Sequence, residues 1–173
     1  MEKIYPYHIS QRIIYTTALY GVLFISVAVV LAITFDGGYI SAWFLSIILA
    51  LLALMALSTP RRIVVDEEGL EIQCIAKDIT LAYDDITSVQ MVNNLRMREC
   101  LPLLGALGFL GHYGRFLNLR TMDFIHIYAS HWGEFVEIID TDDNRYYIAC
   151  EGSGELLADI ENALQRNTTK ESN

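Results

Sequence analysis

Two apolar runs near the N-terminus constrain this chain more than any other feature. The first extends from Ile13 to Phe35 and the second from Tyr39 to Leu57, and neither contains Lys, Arg, Asp or Glu. A helix rises about 1.5 Å per residue, so runs of about 20 residues match the thickness of a bilayer's hydrocarbon core. Only Asp36, Gly37 and Gly38 separate them. The pattern predicts a transmembrane hairpin over residues 13–58, preceded by a short segment, residues 1–12. The first run exceeds the 7–15 apolar residues of a secretory signal, and Thr34-Phe35-Asp36 does not resemble a cleavage site. A retained helix is therefore expected.

Orientation follows from the basic residues. Lys3 and Arg12 precede the first run, Arg61 and Arg62 follow the second, and the short connection has none. The positive-inside rule then predicts both termini, and the C-terminal domain, on the cytoplasmic side. Tyr15, Tyr20, Tyr39 and Trp43 suit interfacial positions. No ionisable group falls inside either span. Transport and proton relay usually need such groups or broken helices, so the spans read as an anchor.

The mean hydropathy of +0.34 hides a sharp division. From Pro60 onward there are 10 Lys and Arg against 19 Asp and Glu, which accounts for the whole net charge of -9. Nucleic-acid binding needs a basic footprint, so this acidic domain is not expected to bind it. Cys74, Cys100 and Cys150 are scattered, odd in number and without a CxxC, which favours free thiols over a disulfide framework.

Strand signals dominate after Thr59-Pro60. Residues 62–66 are rich in β-branched side chains, and Asp66-Glu67-Glu68-Gly69 reads as a turn. Leu70, Ile72 and Cys74 alternate with Glu71 and Gln73, then Ile79, Leu81 and Tyr83 repeat the period. Residues 86–92, 124–129, 134–140 and 145–150 complete seven expected strands, the last three reading as a meander. Leu156, Leu157, Ile160, Ala163 and Leu164 then fall at helical spacing, with Ser153 as the expected N-cap. The tail 167–173 is polar and expected to fray. Seven strands and one amphipathic helix predict a bent antiparallel sheet or small barrel, closed at one end by the helix, over residues 61–166. The strands and helix should supply a complete core, so this part is expected to fold alone.

The chain resembles the bacterial pleckstrin-homology-like domains that follow a pair of transmembrane helices. The resemblance rests on Leu107-Gly108-Phe109-Leu110-Gly111-His112-Tyr113-Gly114-Arg115-Phe116, on Phe124-Ile125-His126-Ile127-Tyr128-Ala129, and on Val136-Glu137-Ile138 followed by Arg145-Tyr146-Tyr147-Ile148. It implies a mainly-β, α+β PH-like fold, a non-enzymatic binding or scaffolding role, and the bacterial inner membrane as location. Phosphoinositide-binding members of the wider fold place Lys and Arg around the first hairpin turn. Here that turn is acidic, so phosphoinositide binding is not expected.

One stretch stands apart in composition. Gly105, Gly108, Gly111 and Gly114 recur every third residue among leucines and aromatics, with arginines on both sides. Arg96, Arg98, Leu107, Phe109, Leu110, Tyr113, Arg115, Phe116 and Arg120 form the predicted interaction surface. Apolar atoms flanked by guanidinium groups suit a membrane interface or an acidic partner. The same composition suits a structural insertion whose glycines permit close backbone approach. No Lys-Ser or Lys-Thr follows the glycines, so they are not a phosphate loop. His126 and His131 are oddly spaced and lack a third ligand, and Asp140, Asp142 and Asp143 lack the spacing of a calcium loop. No metal, cofactor or catalytic residue is predicted. The expected role is a membrane-anchored module that binds a protein partner or self-assembles. The alternative is a small accessory subunit of a membrane transport or enzyme complex.

Overall fold

The computed structural model describes residues 3–34, 39–75, 77–93, 95 and 97–171. Two helices come first after a short strand. Helix α1 spans Gln11–Thr34 and α2 spans Tyr39–Leu57. The Asp36-Gly37-Gly38 connection lies outside the described residues. Ile14, Leu19, Val22, Ile25, Val30 and Ile33 of α1 are exposed, and so are Leu49, Leu51 and Leu54 of α2. Such faces lack water-compatible cover and suit lipid. Within α1, Ile13–Leu31 is long and apolar enough to cross a membrane, while the apolar stretch described in α2, Ala42–Leu57, falls short of that length. The described residues thus give one helix of membrane-crossing length where a hairpin of two was expected.

The strands form two sheets. The first has the order β1-β2-β3-β4, from Lys3–Pro6, Pro60–Val65, Gly69–Cys74 and Asp78–Ala82, all antiparallel. Its β2–β3 turn is held by the Asp66 carboxylate, which accepts 2.8 Å hydrogen bonds from the amides of Glu68 and Gly69. A single turn, Tyr83–Asp85, leads into the second sheet. That sheet has the order β5-β9-β10-β8-β7-β6, from Ile86–Val92 (β5), Cys100–Leu107 (β6), His112–Asn118 (β7), Phe124–Ala129 (β8), Phe135–Asp140 (β9) and Arg145–Ala149 (β10). Helix α3, Ser153–Glu171, packs against β5, β9 and the 83–85 turn.

Alternation explains the core. Ile63, Val65, Leu70, Ile72 and Leu81 face inward from the first sheet, meeting Tyr113, Tyr128, Val136, Ile138 and Ile148 of the second. Leu156 and Ile160 of α3 are fully buried between them. The reverse face of the second sheet carries its own cluster, Phe116, Ile125, Ile127, Phe135 and Tyr147, covered by Leu95. Trp132 packs there too and donates a 3.0 Å hydrogen bond to the Leu95 carbonyl. Inside that cluster the buried Glu137 is satisfied by Tyr147 Oη at 2.5 Å and by Gln90, as a buried carboxylate requires.

The fold departs from the sequence expectation in five places. Among the described residues there are ten strands, not seven, and the two sheets do not close into a barrel. The extra strands are β1, β6 and β7. The strands β8, β9 and β10 are not a meander: β10 inserts between the other two and runs parallel to β8. Ser153 does not cap α3, because its hydroxyl bonds to the Cys150 carbonyl at 2.9 Å. The cap is Gly152, whose carbonyl accepts from Leu156 N at 2.9 Å and whose φ of 89° favours glycine. Finally, α3 continues past Arg166 to Glu171.

The N-terminal segment belongs to the domain. Lys3, Ile4, Tyr5 and Pro6 pair with Val65, Val64, Ile63 and Arg62. Tyr5 enters the main core, its phenol donating to Asp159 of α3, and Lys3 Nζ lies 2.6 Å from the same carboxylate. A fragment beginning at Arg61 therefore lacks an edge strand and part of the core. Removing a large core side chain costs about 3 kcal/mol. Tyr5→Ala should lower the unfolding free energy of the detergent-solubilised chain by about that amount, and Tyr5→Phe by about 1 kcal/mol through the lost hydrogen bond. Denaturant midpoints of the three proteins measure this; coincident midpoints would show that β1 contributes nothing.

Candidate functional site

The glycine-rich stretch is the β6–β7 hairpin, and its period of three is a mirror pattern about the turn. Gly105 faces Gly114 in register. Gly108 N donates to Gly111 O at 2.9 Å. Gly105 and Gly114 have φ of 142° and 110°. A Cβ on Gly105 would lie 2.0 Å from the Tyr113 carbonyl oxygen, and one on Gly114 2.1 Å from that of Leu104. Only glycine allows this approach.

The hairpin tip holds the bases of both long helices. Thr16 Oγ1 donates to Gly108 O at 2.9 Å, and Leu110 N donates to Thr17 Oγ1 at 2.9 Å. Leu110 accepts a φ of 54° in making that turn. Tyr113 Oη donates to the Met55 carbonyl in the last turns of α2. Tyr7 passes beneath the tip, donating to the Ala129 carbonyl, and a Cβ at Gly111 would collide with its hydroxyl.

The predicted surface residues are divided by this geometry. Phe116 is fully buried in the reverse-face cluster, and Tyr113, 1% exposed, lies in the main core. Both are structural: they point to opposite faces of β7, and each face is covered there by its own cluster. Leu107, Phe109 and Leu110 are half-buried, with Leu107 packed on the reverse-face cluster and Phe109 on the main core. Arg98, Arg115 and Arg120 are exposed. Arg96 lies outside the described residues.

The predicted surface included the exposed arginines but left out the apolar side chains that reach the surface with them, Leu101, Leu104 and Phe124. Leu101 pairs with Leu117, which pairs with Phe124. Leu104 pairs with Arg115, which pairs with His126. These two rows share the face of Tyr113, since Tyr113, Arg115 and Leu117 alternate along β7. Leu104 is 73% exposed, Phe124 52% and Leu101 47%. The Arg115 guanidinium sits 4.5 Å from the Phe124 ring centroid. His126 stacks on Tyr146, with centroids 5.0 Å apart, and burial together with Arg115 lowers its pKa. Reading the stretch as two alternating strands would have found this patch.

A second histidine is held in an unusual state. His112 is buried, edge-on to Trp132 at 5.2 Å, and its Nδ1 has no hydrogen-bond partner among the described residues. Burial, with His131 adding to it, pushes its pKa down to about 4. Among the described residues no group of three or more His, Cys, Asp or Glu is placed to hold a metal.

Two sheets with a C-terminal helix packed against them define a PH-like module, joined to an N-terminal helix long and apolar enough to cross a membrane. The bacterial PH domain family model matches residues 61–164, and the chain belongs to that family. No curated protein and no solved structure matches it.

The glycine contacts and the buried His112 can each be tested. Gly105→Ala or Gly114→Ala should cost more than about 2 kcal/mol, since each meets backbone and a disfavoured φ. Gly21→Ala, with nothing within 4 Å, should leave the chemical-denaturation midpoint unchanged or slightly raised. For His112, the unfolded state takes up a proton below about pH 6.5 and the folded state only below about 4. Its contribution to stability is complete above pH 6.5 and falls progressively between those values, by up to about 3 kcal/mol. Wild type should lose more stability than His112→Leu between pH 7 and 4.5; parallel pH–stability curves would refute this.

Proposed function

We propose that the protein is a non-enzymatic, membrane-anchored PH-like module that holds a protein partner, or a second copy of itself, at the cytoplasmic face of a bacterial inner membrane. The observation that carries this reading is the attachment of both helix bases to one hairpin of the PH-like domain, through Thr16, Thr17 and Met55. A domain so fixed cannot move away from the helices that carry it. The family match supports a binding role, because PH domains are typically non-catalytic modules. The exposed apolar faces of α1 and α2 support a hairpin in which both helices cross, and the basic residues at its outer ends support cytoplasmic termini.

Topology and partner are tested separately. A cysteine at Gly37 should react with an impermeant maleimide in spheroplasts, while one at Asn173 should react only after lysis. Labelling of Asn173 in intact spheroplasts would overturn the orientation. Crosslinking in native membranes should capture a protein bound through the cytoplasmic domain, or a dimer. Capture of a polytopic protein through α1 or α2 instead would assign the chain as an accessory subunit.

A further inference from the structure

The face of the β6–β7–β8 edge beside the helix bases is exposed at Leu101, Leu104 and Phe124. Tyr113 points from this face to the Met55 carbonyl, where α2 ends. Arg115 and Leu117 follow on the same face, about 7 and 13 Å farther along the strand. Across the sheet they carry Leu104, Leu101 and Phe124 with them. The side of the sheet that looks toward the departing helices is therefore apolar, and it continues outward as a ledge. The tip of the same hairpin bonds to Thr16 and Thr17, which lie inside the apolar stretch Ile13–Leu31. It thus starts at the depth of the bilayer surface.

Charge selects the occupant. Arg115 sits within the ledge, and Arg98 and Arg120 lie on the segments flanking its outer end, three of the ten basic residues in a domain with nineteen acidic ones. Glu99 and Asp123 border that end, and Asp140 lies close enough to His126 to act on it, so acidic groups stand around the ledge while Arg115 stands within it. Leucines beside guanidinium groups at headgroup depth match an anionic lipid surface, with hydrocarbon taking the leucines and phosphates the arginines.

We infer that Leu101, Leu104, Arg115 and Phe124 form a second membrane contact, docking the domain's β6 edge flat onto anionic lipid and fixing its tilt. This rests on the membrane-anchored reading above. It differs in place from the acidic β2–β3 turn and needs no headgroup pocket.

The test uses the full chain, with Cys74→Ser, reconstituted in vesicles of phosphatidylcholine with or without phosphatidylglycerol. An environment-sensitive fluorophore is placed at Leu104→Cys, or at Glu161→Cys on α3 at the opposite edge. The position-104 probe should shift to the blue in anionic vesicles and be quenched by brominated acyl chains; the position-161 probe should do neither. Arg115→Glu should shift the docked-to-undocked ratio about tenfold toward undocked, and omitting phosphatidylglycerol should act in the same direction. A water-exposed probe at 104 in protein that still floats with vesicles after alkaline carbonate would overturn the docking and leave the anchor standing. Release of the protein by carbonate would overturn both. Protection at 104 without bromine quenching, accompanied by a crosslinked dimer, would show that a second copy covers the ledge and would likewise overturn it.

Discussion

The rest of the structure depends on the close approach of two backbones at Gly105 and Gly114. Because neither glycine carries a Cβ, β6 and β7 come close enough to pair through a region where any side chain would strike a carbonyl oxygen. That pairing projects the 108–111 tip beyond the sheet, where its carbonyl and amide meet Thr16 and Thr17. Buried backbone groups at a turn need partners, and here the partners come from a helix that reads as part of the membrane anchor. Domain and helices are thereby one mechanical unit. A flexible linker would have left the domain free to rotate; hydrogen bonds at both helix bases, with Ile13 and Thr59 buried, prevent it.

The same coupling explains why the N-terminal segment is folded into the domain. The chain leaves β1 at Pro6, passes Tyr7 under the hairpin tip, and enters α1 at Gln11. It returns from α2 through Thr59 directly into β2, which pairs with β1. The two helices are thus inserted between neighbouring antiparallel strands. Strand pairing brings the entry and exit of the helical segment together, so the helices must leave from one place and on one side.

The seven central strand segments and the helix at the C-terminus were legible because their signals are local. Period-two alternation at Leu70, Ile72 and Cys74 and helical spacing at Leu156, Ile160 and Ala163 need no partner to be read. Both apolar runs were equally plain. The strands that escaped reading violate local propensity: β6 contains Pro102 and Gly105, β7 contains Gly114, and β1 is only four residues long. Their stability comes from partners far away in sequence, which no local window contains. The surface was misassigned for the same reason. Without the tertiary packing, Tyr113 and Phe116 could not be told from Leu104 and Arg115: Tyr113 and Phe116 are covered by the two core clusters on opposite faces, whereas Leu104 and Arg115 lie beyond them at the sheet edge.

By itself, the sequence determined that an apolar helical segment precedes an acidic, strand-rich domain with one amphipathic helix, because hydrophobicity and periodicity are properties of short stretches. Only the tertiary structure decided that β10 lies between β8 and β9, that β1 completes the first sheet, and that the glycine hairpin grips the helices. Those outcomes depend on which distant backbones can approach one another. Tertiary structure also decided which arginine and which leucines remain at the surface, since burial is settled by what packs above a residue and not by its neighbours in the chain.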